Sequence, residues 1–223
     1  MALTEQMAEQ MLKMQEEVNT NTSGKKWRNK NHAWYLAALE ETIELLESTG
    51  WYWWKPSAID EKNIQVELVD LMAFTLSFHL QDVEKDEYED LAWLMAERSQ
   101  VASDMFNHKK KLKTKVKDLT EASLMYLNQA STKYLNLNYL LAMIAIMMPI
   151  EEFYRLYIGK AVLNSFRQSK GYAKGDYTKN WDGKEDNVYM KSFVTYYKGS
   201  PEDLPKDLRE YLEKTYEGVT VGH

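Results

Sequence analysis

No cysteine occurs anywhere in the 223 residues. That excludes disulfide staples, thiolate nucleophiles and cysteine metal sites, and it suits a reducing compartment. Nine glycines and four prolines leave few positions that force a chain rich in Leu, Met, Glu and Lys out of helix. No stretch reads as a clear strand and no motif recurs at a fixed period, so neither a sheet nor a solenoid is expected. The most apolar run, YLLAMIAIMMPI at 139–150, is too short to span a bilayer and is broken by Pro149. The N-terminal MALTEQMAEQMLKMQEE does not set a basic start before an apolar core, which argues against a secretory signal. A net charge of −6 excludes a broad attraction to polymeric nucleic acid, so any anionic ligand must meet a local basic patch or a metal ion. The expectation is a cytoplasmic protein that does not associate with membranes.

What is present is helical periodicity. Leu3, Met7, Met11, Met14 and Val18 share one stripe, predicting a helix over 3–19. Helices are expected at about 32–48, 62–82, 88–109, 115–130 and 136–148. Another begins at Pro149 and runs to about 168, and a short one lies near 203–216 before a polar tail. VEKDEYED at 83–90 reads as a solvated connector, and SKGYAKGDYTKNWDGKEDN at 169–187 as a long loop. The fold class is all-α, a multi-helix bundle forming a single domain over 1–223.

Four carboxylates stand out by position. In the 62–82 helix nearly every direction is apolar, which marks an enclosed element. Yet Glu67 and Asp70 lie within about 60° of each other on its apolar stripe with Ile64, Leu71, Phe74 and Phe78. In the 32–48 helix, Glu40 and Glu47 face solvent and Leu36, Leu39, Ile43 and Leu46 form an apolar stripe. Glu41 and Glu44 fall on a third face with Trp34, Ala37, Ala38 and Leu45. An acid on an apolar stripe is ordinarily part exposed or paired with Arg or Lys. Two pairs of equal spacing on adjacent helices favour a different reading. Antiparallel neighbours would bring four carboxylates together, and an oxygen-loving divalent cation, Mg²⁺ or Mn²⁺, relieves the repulsion. None of His32, His79, His108 and His223 follows a glutamate by three, so a Glu-x-x-His di-iron bundle is excluded.

The late helix carries a second signal. Its stripe Phe153, Tyr157, Lys160, Asn164, Arg167 begins aromatic and ends in long polar donors, as a stripe entering a phosphate pocket would. A helix end emerging into water, with cations near its last turn, is the plainer explanation. The loop that follows adds Lys174 and Lys179 with Gly171 and Gly175 as flexible points, the composition of a closing lid over 169–190. It does not carry the Walker pattern. In GWYWWKP, residues 50–56, three indoles in four positions cannot all enter one core, so some face something other than packed protein.

The blocks MLKMQEEVN, EETIELLES, WYWWK, VELVDLMAFTLSF and YIGKAVLNSFRQSKGYAKGDYTKNWDGKEDN together resemble the dimeric all-α dUTPases, with the phage dCTP pyrophosphatases as more distant relatives. The resemblance covers most of 10–80 and 150–190 and leaves 82–135 as a divergent helical segment. It implies a homodimer that splits dUTP into dUMP and pyrophosphate with Mg²⁺ and a metal-activated water. Glu41, Glu44, Glu67 and Asp70 would be the metal ligands, with Glu41 and Glu44 catalytic and Glu41 the base. Lys160, Asn164 and Arg167 would hold phosphate, assisted by Lys55 and Lys179. Gln15, Asn19, Trp54, Tyr172, Trp181 and Asn187 would surround the nucleoside. One departure bears on the base. The family commonly has histidine three residues after the second acidic pair, where this chain has Ala73. An asparagine amide suits uracil or cytosine equally if it can flip, so dCTP, or both nucleotides, stays open beside dUTP. A helical interaction protein that binds a regulator is the reading from another class, and retention of all four acids speaks against it.

Overall fold

The computed structural model describes residues 2–84, 87–106 and 108–220. Nine α-helices occur among them: α1 (Glu5–Ser23), α2 (Trp34–Ser48), α3 (Glu61–Gln81), α4 (Tyr88–Met105), α5 (Leu112–Ser131), α6 (Leu137–Met147), α7 (Ile150–Ser169), α8 (Asp186–Tyr196) and α9 (Leu204–Thr220). The all-α class is therefore correct. The expected connector at 83–90 includes residues 85 and 86, and the expected 88–109 helix includes residue 107; those positions, and His223, lie outside the described residues.

Local chemistry accounts for the ends. Thr4 caps α1 by accepting the N–H of Met7, and Gly24 closes the helix at φ 83°; a cap of this kind is worth about 1 kcal/mol. The helix runs four residues past its expected end at 19, through the polar NTNTS run, because the terminating glycine comes only at 24. Asp60 caps α3 through the N–H of Asn63, and Asn136 caps α6. Pro149 breaks the chain between α6 and α7, whose axes differ by 109°. Among the described residues, no single helix is long and apolar enough to cross a membrane.

Helix α3 is the hub. Its buried positions Ile64, Glu67, Leu68, Val69, Leu71, Met72, Thr75, Leu76, Ser77 and Leu80 go all the way round, as the continuous apolar pattern predicts. It packs against α2, α1, α6 and α7. Helices α2 and α3 run antiparallel. At one end Asn63 Nδ2 donates to Ser48 Oγ at 2.8 Å, and at the other Trp34 Nε1 donates to Gln81 Oε1 at 2.9 Å. The small side chains Ala38 and Thr42, with Leu45, form the contact face of α2. Half of the apolar stripe is uncovered in the protomer: Leu36 is 56% and Ile43 is 52% exposed, while Leu39 and Leu46 are half-buried. Periodicity shows that a face is apolar but not which neighbour covers it.

The segment after α7 departs most from expectation. A two-residue antiparallel ribbon, β1 (Asn180–Trp181) and β2 (Lys184–Glu185), pairs Asn180 with Glu185 and Trp181 with Lys184. It leads directly into α8, which the loop reading did not foresee. Aromatic packing orders this stretch: Trp181 is fully buried, with Phe166, Tyr177, Tyr189 and Tyr216 ring centroids 5.4 to 6.3 Å away. Gly171 and Gly175, expected as flexible points, are instead the two left-handed ends of a single tight 3-10 turn over Tyr172–Lys174. Helix α7 itself is held against α1, α3, α8 and α9.

Candidate active site

Antiparallel packing of α2 on α3 brings Glu41, Glu67 and Asp70 together. Each offers one carboxylate oxygen, and these oxygens all lie within 4.8 Å of one another. Glu67 is buried, at 4% exposure, while Glu41 and Asp70 are half-buried. Glu41 is pushed up to about 8, first by burial, then by its hydrogen bond to Glu67 and the charges of Asp70, Glu67 and Glu44. Glu67 is raised as well. Burial is the main cause, and the charges of Asp70 and Glu44 add to it against the hydrogen bonds from Glu41 and Asn63. Both shifts run in the direction expected when carboxylates are crowded together. Glu44, predicted as the fourth ligand, is exposed and outside the group of three, although its charge is felt by both glutamates. An all-oxygen set of this kind fits a hard divalent cation, whose binding would compete with protonation of these acids.

One cation is already present. Lys160 Nζ on α7 donates to Asp70 Oδ2 at 3.0 Å. The predicted phosphate ligand thus sits one contact from the carboxylates, and among the described residues the acid-to-lysine pairing considered as the plainer explanation applies to Asp70 of the four acids. Beside it, Lys160 and Asn187 line a cavity of about 130 Å³ with Met190 and Lys191.

Further along the same stripe, Arg167 behaves differently from a free phosphate ligand. It is 8% exposed and makes a two-pronged pair with the fully buried Asp186, Nε to Oδ2 at 2.8 Å and Nη2 to Oδ1 at 2.7 Å. Tyr177 Oη and the Asn187 backbone N–H complete the shell of Asp186, each at 2.7 Å. Arg167 Nη1 also donates to Asn164 Oδ1 at 3.3 Å. Asn164, Arg167 and Tyr172 line a second cavity of about 160 Å³ with Val18, Asn21 and Gln168. Asp186 was inside the quoted motif but was not singled out. The signal for it was available: a buried arginine demands an acid nearby.

The base-side residues converge on α1. Gln15 Nε2 donates to Asn19 Oδ1 and to Ser77 Oγ, both at 3.0 Å, while Gln15 Oε1 accepts from Tyr157 Oη at 2.7 Å. Gln15 and Asn19 are each 4% exposed. Asn19 Nδ2 is buried without a hydrogen-bond partner among the described residues. Ser77 was missed, although it lies seven residues after Asp70 and so on the same side of α3.

The remaining predicted contacts lie at the surface or inside the aromatic packing. Trp54 is 55% exposed and meets Trp51, Tyr52 and Trp53 edge to face, with centroids 5.1 to 5.6 Å apart. Lys55 Nζ sits 3.7 Å above the Tyr52 ring, and Lys179 Nζ 5.2 Å above that of Tyr172. Trp181, predicted beside the nucleoside, has its ring buried in the cluster under the ribbon and its indole N–H on Thr178 O at 2.9 Å. Both cavities are smaller than the roughly 300–1,000 Å³ usual for a small-molecule site. Neither of these two cavities is large enough to enclose a nucleotide by itself.

A sequence model of the family described as dUTPase matches residues 7–172, a span that contains every carboxylate of the cluster, Gln15, Asn19, Lys160, Asn164 and Arg167. No curated protein matches the chain.

Proposed function

The chain belongs to the dUTPase family, and from that premise we propose that it hydrolyses dUTP to dUMP and pyrophosphate with Mg²⁺ at the α2–α3 carboxylates. The observation that carries this reading is the cluster itself: three acids from two helices, with one carboxylate oxygen of each within 4.8 Å of the others. Three crowded carboxylates that meet a single lysine among the described residues are a cost that structural packing alone does not require. Glu41, Glu67 and Asp70 would hold Mg²⁺ or Mn²⁺, with Glu44 as the nearby fourth carboxylate, and the ion when bound supplies charge neutralisation of the triphosphate and a lowered water pKa.

The chain's own groups take the other parts. Lys160 can exchange its bond to Asp70 for a phosphate oxygen, a charge-assisted contact of comparable strength. The Asn164 amide keeps its two N–H donors, because only its oxygen is used by Arg167. Arg167 orders the start of α8 through Asp186 and so fixes Asn187 beside Lys160. Glu41, inside the carboxylate cluster, takes the part of the general base. Gln15 and Asn19 face the base, and the exposed Trp54 gives a flat apolar wall for the sugar, with Lys55 and Lys179 as mobile cations at the rim. The uncovered Leu36 and Ile43 on α2 and the exposed Trp51, Trp53 and Trp54 support a second copy of the chain as the missing wall.

The test is pyrophosphate release from dUTP, dCTP, dTTP and UTP with and without Mg²⁺. Metal-dependent turnover of dUTP, with UTP rejected, is expected. Inactivity on all four, or activity unaffected by chelation, overturns the reading.

A further inference from the structure

Beyond Lys160 the cleft continues away from the carboxylates. The cavity of about 130 Å³ beside Lys160 and a second of about 420 Å³ share Gln65, Leu156 and Lys191 in their linings, so they are neighbouring chambers of one trough between α3, α7 and α8. Lys191 Nζ on α8 donates to Gln65 Oε1 on α3 at 3.3 Å, across the trough where the two chambers meet. The bond is long, its acceptor is a neutral amide, and half-buried Lys191 forms no ion pair among the described residues. The charged residues lining the smaller chamber are Lys160 and Lys191, both cations, and its walls are otherwise largely apolar, which leaves their charge weakly screened. Helix α8 is held in place from two sides. The Arg167–Asp186 pair fixes its first turn, and Met190 lies so close to Gly159 of α7 that a Cβ there would meet its Sδ at 2.7 Å. Asn187 and Lys191, four residues apart, therefore face the trough one turn above each other. The order along α3 gives the trough a direction. Ser77, bonded to Gln15, lies about 10 Å to one side of Asp70, and Gln65 about 8 Å to the other. A nucleotide with its base towards Gln15 and its phosphates at the acids extends its terminal phosphates into the trough.

We propose that Lys191 is a contact for the leaving pyrophosphate: its ammonium exchanges Gln65 for a phosphate oxygen, beside Asn187 and Lys160. This rests on the nucleotide reading above and deepens it. The exchange replaces a bond to a neutral oxygen by one to a charged oxygen, about twice as strong, and parting from Gln65 joins the two chambers into one space. The plainer role for Lys191 is a tie between α8 and α3, and two variants separate the roles. Titration calorimetry with magnesium pyrophosphate on wild type, Lys191→Met and Gln65→Leu measures affinity for the product without turnover. Inhibition of dUTP hydrolysis by pyrophosphate and by dUMP measures it during turnover, and circular dichroism verifies folding. Lys191→Met should weaken pyrophosphate binding about ten- to hundredfold, the scale of one hydrogen bond to a charged group, and leave inhibition by dUMP in place. Lys191→Arg, which keeps the charge, should recover most of the affinity. Gln65→Leu cuts the same tie but spares the cation, so it should bind pyrophosphate at least as tightly as wild type. Wild-type affinity in folded Lys191→Met, or equal losses in Lys191→Met and Gln65→Leu, overturns the proposal while leaving the hydrolase reading intact. Should Lys191→Met not fold, weakened pyrophosphate binding in folded Gln65→Leu overturns it. Wild-type inactivity on dUTP overturns the reading beneath it as well.

Discussion

Replacing Asp186 by Asn separates what Arg167 does for the fold from what it does for phosphate. The substitution keeps the side chain's shape and removes its charge, leaving a guanidinium that is 8% exposed without its counter-ion. Breaking a buried pair on one side costs about 3–5 kcal/mol. At roughly 2–4 °C per kcal/mol for a protein of this size, the thermal midpoint should fall by about 6–20 °C. Thermal unfolding followed by circular dichroism measures this directly. The dependence on pH adds a second requirement. Burial would raise the Asp186 pKa, but the hydrogen bonds and charge of Arg167, with Tyr177 and the Asn187 N–H, outweigh burial and hold it below the ordinary 3.8. A carboxylate depressed on folding contributes stability that is fully present above its unfolded pKa and is lost as pH falls through the folded one. The gap between wild type and variant should therefore be constant from pH 5 to 8 and close below about pH 4. A midpoint shift under about 2 °C at pH 7, or a gap that widens in acid, would refute the assignment of Arg167 to the fold.

Three further outcomes follow from particular contacts. Glu67→Gln should lower kcat/KM at least about a hundredfold and yet leave metal-free thermal stability unchanged or higher, because it relieves carboxylate crowding. A large stability loss would show that Glu67 serves packing. Trp54→Ala should raise KM for the nucleotide by roughly five- to hundredfold, the scale of one aromatic stacking contact, with kcat affected less; unaltered KM removes Trp54 from the pocket. Gly159→Ala would put a Cβ 2.7 Å from Met190 Sδ and 2.9 Å from Val194 Cγ1, at the close approach of α7 and α8. It should cost about 1–3 kcal/mol in urea unfolding, and a neutral result would mean that α8 can move away freely.

Helices with a sustained apolar pattern were readable from sequence, whether on one stripe as in α1 or on every side as in α3. The spacing within α1, α3 and α7 located them, and Pro149 marked the α6–α7 bend. Helix α8 was hidden because DNVYMKSFVTY is rich in β-branched and aromatic residues, which favour helix weakly, and because its start is held by an arginine nineteen residues earlier. Glu67 and Asp70 stood out because charge on an enclosed helix is anomalous, and Glu41 followed from α2. Glu44 pairs with Glu41 in sequence but does not share its burial, since three residues turn it about 60° and carry it about 4.5 Å along α2 to the rim. Arg167 and Lys160 look alike in sequence, and only their partners, Asp186 and Asp70, distinguish a tie within the fold from a cation poised beside the site. The direction of the Gln15–Asn19 amides could not be read from sequence at all, because Ser77 and Tyr157 come from two other helices.

The account turns on whether the α2–α3 acids bind a divalent ion. Titrating Mn²⁺ into the protein and following the free ion by electron paramagnetic resonance tests this without recourse to turnover. Wild type should take up the ion with release of a proton near neutral pH, and Glu67→Gln and Asp70→Asn should each bind it far more weakly. Equal binding in all three proteins, or none in the wild type even with a non-hydrolysable nucleotide present, would contradict it.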